Sequence, residues 1–282
     1  MSKKLIKYLK ERKYLNKKMT SIDERVHQVK QPRDGYVKAS SFKEIKMPTA
    51  TKLHEEENLG ASIVAMAVDY LTRYALTDNK GDSFRNCMEG ARFAEEKGMK
   101  NAQDMALGYI REIDGINEKS IIGACKLVSF DIWFRGTSIK KSEEYEAQVP
   151  DKNTIENIKI MVQRSVEFFK KYGPVVKVGF NFKAVDTNHE GYTSLIDYGD
   201  GEFLTTEGIW DLQVTKAKLN DKQTLKLLMY LIMGQHCGQE IFAKIKTIGV
   251  FNAKLNVAYL LDVKEIPLTV FNEVSTQVIG YK

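Results

Sequence analysis

The spacing of apolar residues changes repeatedly after Pro150, and this change restricts the fold more than any other feature of the chain. Spacing of three and four residues predicts helices over 154–171, 222–234 and 265–279. Alternating or continuous apolar runs predict strands over 175–185, 192–198, 209–215, 245–252 and 256–263. The predicted order is therefore α-β-β-β-α-β-β-α, which places the C-terminal half in the α/β (α+β) class.

The residues before Pro150 have a different character. Apolar residues at helical spacing predict helices over 55–76, 84–97 and 101–112, and the apolar run 120–135 is compatible with a helix followed by a strand. Residues 20–50 are polar and interrupted by proline and glycine, which is typical of a linker. The sequence thus predicts three parts: a basic arm and linker over 1–50, a mainly helical subdomain over 51–150 and a core over 151–282.

The net charge of +6 on the 282-residue chain is concentrated at one end. The first 20 residues hold eight Lys or Arg and one Glu, so the remaining 262 residues hold 35 basic and 36 acidic side chains. Such a basic arm can contact phosphates or an acidic protein surface. A solvated, frayed terminus is the alternative interpretation and needs no partner.

Several classes of protein are excluded by composition. The three widely spaced cysteines lack CxxC spacing, which indicates reduced thiols rather than a disulfide framework or a zinc site. The sequence contains no run of 18 apolar residues, so it predicts no membrane span. The charged N-terminus lacks the apolar segment of a secretory signal. We therefore expect a cytoplasmic protein without membrane contact, and a homo-oligomer is compatible with the sequence.

The candidate functional residues lie at predicted strand ends and on the helix that follows. Gly199-Asp200-Gly201-Glu202 comes after one predicted strand, and Asp211 lies inside the next. A carboxylate within an apolar strand is costly unless it is paired or bound to a metal. Gln213 is two residues further on and therefore points to the same side of the strand as Asp211. Lys226 and Tyr230 follow on the predicted helix, where snorkelling and packing are the ordinary explanations for such residues.

These residues and their spacing resemble the active-site pattern of the PD-(D/E)XK nuclease superfamily, in particular its RecB-like branch. In that pattern a Gly-x-x-acid segment precedes acid-x-Lys on the next strand and Gln-x-x-x-Tyr on the next helix. The matching segments are 199–202, 211–213 and 226–230, and the resemblance covers roughly 152–263. It implies a restriction-endonuclease-like αβββαβ core and a metal-dependent DNA nuclease with Mg²⁺ or Mn²⁺ as cofactor.

The resemblance also assigns roles to residues. Glu202 and Asp211 are the implied metal ligands, because hard divalent cations prefer carboxylate oxygens. Such a cation activates a water and stabilises the leaving oxygen during phosphodiester hydrolysis. Further candidates are two residues of the same motifs and two acids predicted to lie on helices, since a helix-borne acid often completes such sites. These further candidates are Asp200, Tyr230, Glu57 and Glu167.

The chain departs from this pattern at the lysine. Gln213 occupies the position of the family's lysine, and Lys226 occupies the position of its glutamine, so the two residue types are exchanged. One interpretation is that Lys226 reaches the same space from the helix while Gln213 orients the water. Another is that catalysis is lost and the fold binds a host protein, for instance as a phage or mobile-element anti-defence factor. A third is nucleic-acid binding without cleavage through the arm 1–20.

Overall fold

The computed structural model describes residues 20–48, 51–134 and 149–282 and contains a six-stranded mixed sheet. The strands are β1 (Lys43–Lys46), β2 (Val175–Asn181), β3 (Asp200–Thr205), β4 (Gly208–Gln213), β5 (Thr247–Asn252) and β6 (Val257–Asp262). Their order across the sheet is β1-β6-β5-β4-β3-β2. The first strand comes from the segment that the sequence predicts to be a linker, and it pairs with the last strand.

Helices cover both faces of this sheet. In the N-terminal part they are α1 (Ile22–Gln28), α2 (Ala61–Thr77), α3 (Lys80–Ser83), α4 (Arg85–Glu96), α5 (Ala102–Arg111), α6 (Glu118–Leu127) and α7 (Asp131–Phe134). In the C-terminal part they are α8 (Lys152–Tyr172), α9 (Asp221–His236) and α10 (Leu268–Glu273), which continues into a π-helical turn over Val274–Ile279. Short 3₁₀ turns lie at Ala39–Ser41, Val128–Phe130, Glu240–Phe242 and Val263–Glu265.

The connections within the sheet are simple. Strands β2, β3 and β4 are successive antiparallel neighbours. The chain then crosses the sheet through α9, so that β5 lies parallel to β4. A parallel pair requires such a crossover, and an apolar helix is the usual way to provide it. The result places the C-terminal ends of β4 and β5 at the same edge of the sheet.

Two apolar clusters pack against the two faces of the sheet. On one face, Phe168 of α8 lies 4.4 Å from the ring of Phe251 and 5.0 Å from that of Trp210, and residues of α2 and α6 join the same cluster. On the other face, α9 and α1 pack against Ile209 and Ile248. The helical residues before 134 therefore share a core with the C-terminal sheet. Alternation along β4 puts Asp211 on the face that α9 covers.

The structure confirms the helices predicted over 154–171 and 222–234 and corrects other elements. Residues 192–198 form no strand, because the Thr193 hydroxyl accepts hydrogen bonds from the N–H groups of Leu195 and Ile196 and closes a turn. The strand lies at 200–205 instead. The predicted helix over 55–76 begins only at Ala61, and the described part of 120–135 is helical throughout.

Within the described ranges, none of the helices combines the length and the apolar composition that crossing a bilayer requires.

Candidate functional site

The candidate site begins where β3 and β4 separate. The two strands pair at Phe203 with Trp210 and at Leu204 with Ile209. Next to this short ladder, the N–H of Leu212 donates a hydrogen bond of 2.5 Å to Oε2 of Glu202. The carboxyl group of Glu202 is thus held at the gap between the strands by a hydrogen bond from the backbone.

Asp211 provides the second carboxylate and is almost fully buried, at 1% exposure. Its Oδ2 accepts a hydrogen bond from the side-chain amide of Gln213, which confirms that the two residues lie on one side of β4. Its Oδ1 has no hydrogen bond within the described residues. The ammonium of Lys226 lies beside it, with Nζ 3.3 Å from Oδ1. An ionised carboxylate at such a depth requires a cation beside it.

Lys226 reaches this carboxylate from the second turn of α9. Its Nζ also lies 3.2 Å from Oδ1 of Asp23, and the lysine side chain is 18% exposed. Burial alone would lower the pKa of Lys226. The negative charge of Asp211 nevertheless holds that pKa well above its usual range, and smaller contributions in the same direction come from Tyr230, Asp23 and Glu202. The lysine is therefore a charged donor between a buried and an exposed carboxylate.

Asp23 is a member of the site that the sequence does not reveal. It lies on α1, a helix with a capping box between Ser21 and Glu24. The helix is fixed by the hydrogen bond from the Ile22 N–H to the Tyr198 carbonyl at 3.2 Å and by the burial of the Ile22 side chain. The contact between Asp23 and Lys226 joins residues that are far apart in sequence, so no local pattern indicates it.

A buried ion pair on α2 approaches the site from the other face of the sheet. Arg73 binds Asp69 with two contacts, Nη2 to Oδ2 at 2.7 Å and Nε to Oδ1 at 3.0 Å. The guanidinium lies 5.8 Å from the ring centre of Phe203, and Gly179 leaves room for it, since a Cβ there would lie 3.2 Å from Nη1. An acid and an arginine four residues apart within an apolar helical run are the sequence signal for this pair.

Glu202 lies between these two groups of charges. Burial raises the pKa of Glu202 well above its usual range, and the neighbouring carboxylates of Asp211 and Asp69 raise it further. The cations Lys226 and Arg73 oppose this shift. Four acids, counting Asp23, and two cations thus interact electrostatically around Glu202 and Lys226, and two of these acids and one of these cations belong to the residues predicted from the sequence.

Tyr230 and Asp200 lie beside the same gap, and one hydrogen bond joins them. The buried hydroxyl of Tyr230 donates to the backbone carbonyl of Asp200 at 3.0 Å. Burial raises the pKa of Tyr230 well above its usual range, which keeps the hydroxyl protonated. The tyrosine therefore anchors the start of β3 to α9, next to Glu202.

Of the two predicted helix acids, one lies outside any helix and the other is exposed. Glu57 lies in the irregular segment before α2, where it accepts a hydrogen bond from Asn157 at 3.0 Å and pairs with Lys254 at 2.8 Å. These contacts join that segment to α8 and to the turn between β5 and β6. Glu167 is on a helix, as predicted, but its side chain is exposed. The acid that a helix does bring close to Glu202 is Asp69.

The carboxylate oxygens of the site are suitable ligands for a cation such as Mg²⁺, but they are few. In the described parts of the chain, no group of three or more His, Cys, Asp and Glu side chains is arranged to hold a metal ion. Mg²⁺, however, is usually held by one or two carboxylates together with water and substrate phosphates. Glu202 and Asp211 provide two carboxylates, and within the described residues the buried Oδ1 of Asp211 accepts no hydrogen bond, so this oxygen is available as a ligand.

No protein-family model, no curated protein and no solved structure matches this chain.

Proposed function

We propose that the chain is a metal-dependent DNA nuclease of the PD-(D/E)XK type in which a helix lysine replaces the strand lysine. One observation carries the proposal: the two exchanged residues contact the same carboxylate. The amide of Gln213 donates to Oδ2 of Asp211, and the ammonium of Lys226 lies 3.3 Å from Oδ1. A lysine on α9 can therefore act in the space that a lysine at position 213 would reach.

The topology supports the same proposal. One helix, three antiparallel strands, a crossover helix and a parallel strand follow one another from α8 to β5. This order is the one that the αβββαβ core of the superfamily requires. It also brings Glu202 on β3 and Asp211 on β4 to one gap, which is the arrangement that two metal-holding carboxylates need.

The residues of the gap have separate roles in this proposal. A divalent cation supplies, when bound, an activated water and positive charge at the scissile phosphate. Glu202 and Asp211 hold the cation through their oxygens. Lys226 has three N–H donors, and its two carboxylate contacts leave one donor for a phosphate oxygen. The Gln213 amide orients the carboxylate of Asp211 and is close enough to orient a water.

A second candidate function is binding of a protein partner without catalysis. The observation that favours it is the presence of cations already beside the acids, with Lys226 on Asp211 and Arg73 on Asp69. Ion pairs of this kind also stabilise a site that has lost its metal. In that case the nuclease-like fold serves as a scaffold, and the acids have a structural role.

Cleavage assays separate the two candidates. Single- and double-stranded DNA is incubated with Mg²⁺ or Mn²⁺ and with the wild type, Asp211→Asn or a matched control, Asp262→Asn. Asp262 is at the opposite end of the sheet, where it pairs with Thr247 in the ladder. We expect metal-dependent cleavage by the wild type and the control and none by Asp211→Asn. Absence of cleavage by the wild type, together with no calorimetric signal for either metal, would favour the scaffold.

A further inference from the structure

The loop between β4 and α9 places three exposed lysines next to the candidate site. Lys216, Lys218 and Lys222, here called the lysine row, follow Gln213 within nine residues. Lys222 lies on α9 four residues before Lys226, which is about one helical turn, or roughly 6 Å along the axis. It is therefore on the same face of α9 as the lysine of the site.

The loop that carries the row is fixed rather than loosely attached. The buried side chain of Asn252 donates from Nδ2 to the carbonyl of Thr215 at 2.9 Å and to that of Ala217 at 3.2 Å. At the other end, Asn220 and Gln223 form a capping box at the start of α9. Because both ends are held, the backbone positions of these lysines are set before any ligand binds.

The lysines of the row differ from other exposed lysines in their ion pairing. Among the described residues, the ion pairs do not include any member of the row, whereas exposed lysines elsewhere do form pairs, such as Lys246 with Glu207 at 2.6 Å and Lys264 with Asp262 at 2.9 Å. The one acid within the segment, Asp221, accepts a hydrogen bond from the backbone N–H of Lys222. The segment 214–223 therefore keeps a net positive charge on a body whose basic and acidic residues nearly balance.

We propose that the lysine row binds the phosphodiester backbone of the nucleic acid on one side of the scissile phosphate. This inference rests on the proposed nuclease function and identifies the surface that holds the substrate. Successive phosphates of a strand are spaced at about 3.4 Å along the axis of B-DNA, so three lysines between Gln213 and Lys226 can contact more than one of them. Lysine provides point charges, which suit a backbone contact without sequence preference.

Binding is measured by fluorescence anisotropy of labelled 20-nucleotide DNA, single- and double-stranded, and of RNA with the same sequence. The full chain is used with EDTA, so that binding is observed without cleavage. The test variant is Lys216→Gln/Lys218→Gln/Lys222→Gln. The control is Lys244→Gln/Lys246→Gln/Lys264→Gln, which removes the same charge from exposed lysines at the opposite end of the sheet.

We expect the test variant to bind DNA about tenfold more weakly than the control at about 0.1 M salt. The slope of log K against log salt should fall by about two, because each lost lysine–phosphate contact removes up to roughly 0.9 from it.

Equal binding by the two variants would overturn the proposal, as would binding to RNA alone or to no nucleic acid. DNA binding that depends on the row, without cleavage when metal is added, would support the surface and contradict the nuclease. Cleavage by the test variant with an unchanged KM would support the nuclease and contradict the role of the surface.

Discussion

Replacing Lys226 by methionine tests whether the carboxylates of the site depend on that ammonium. Asp211 is 1% exposed and has Lys226 as its ion-pair partner at 3.3 Å. Removing one partner of a buried ion pair costs about 3–5 kcal/mol, because the remaining charge loses its compensation. We therefore expect Lys226→Met to lower the free energy of unfolding by about that amount at pH 8, as measured by urea titration with circular dichroism.

The double variant Lys226→Met/Asp211→Asn removes both charges and should recover more than half of this loss. The wild type and Asp211→Asn complete the cycle. A loss below about 1 kcal/mol in Lys226→Met, or a double variant whose loss equals the sum of the two single losses, would refute the reasoning.

The effect of pH on the same variant gives an independent check. The pKa of Glu202 is raised in the folded protein, so the folded state binds a proton more tightly than the unfolded chain does. Stability therefore falls as pH rises from the unfolded pKa of a glutamate, about 4.3, through the folded pKa of Glu202. Lys226 lowers that folded pKa, so Lys226→Met should extend the fall to higher pH. Parallel pH curves for the wild type and the variant would contradict this expectation.

Three further predictions concern the sheet, the N-terminal helix and the metal. Gly249→Ala should cost about 1–3 kcal/mol in the free energy of unfolding, because a Cβ at this position would lie 2.4 Å from Cζ3 of Trp210; an unchanged urea midpoint would refute it. Asp23→Asn should lower the pKa of Lys226, which NMR of ¹⁵N-labelled lysine ammonium groups measures, and an identical titration would contradict the role of Asp23. Mg²⁺ binding should release a proton and strengthen as pH rises, since a ligand carboxylate must be ionised while the pKa of Glu202 is raised; calorimetry in two buffers would show equal heats if this were wrong.

The parts of the fold that follow from local patterns could be predicted from the sequence. The periodic apolar residues of α8 and α9 predict both helices, and the apolar run around Asp211 predicts β4. The proposed exchange of Gln213 and Lys226 comes from the resemblance of the sequence to the nuclease pattern. Their contact with one carboxylate needs the crossover that brings α9 over β4.

Other features depend on competition between local and distant contacts. The run 192–198 has the composition of a strand, yet the hydroxyl of Thr193 closes a turn and residues 200–205 pair instead. Asp23 and Asp69 reach the site from helices that are remote in sequence, and only the folded chain brings them to Lys226 and Glu202. The sequence predicts Glu57 to lie on a helix, but it lies before α2 and pairs with Lys254 in the turn between β5 and β6.

The central claim is that a lysine on α9 performs the role of a lysine on β4. The most direct measurement is metal-dependent DNA cleavage by the exchange variant Gln213→Lys/Lys226→Gln, beside Lys226→Gln alone. Both residues contact Asp211, so we expect Lys226→Gln to lose cleavage and the exchange variant to regain most of it. Cleavage that persists in Lys226→Gln, or that stays absent in a folded exchange variant while the wild type is active, would contradict the claim.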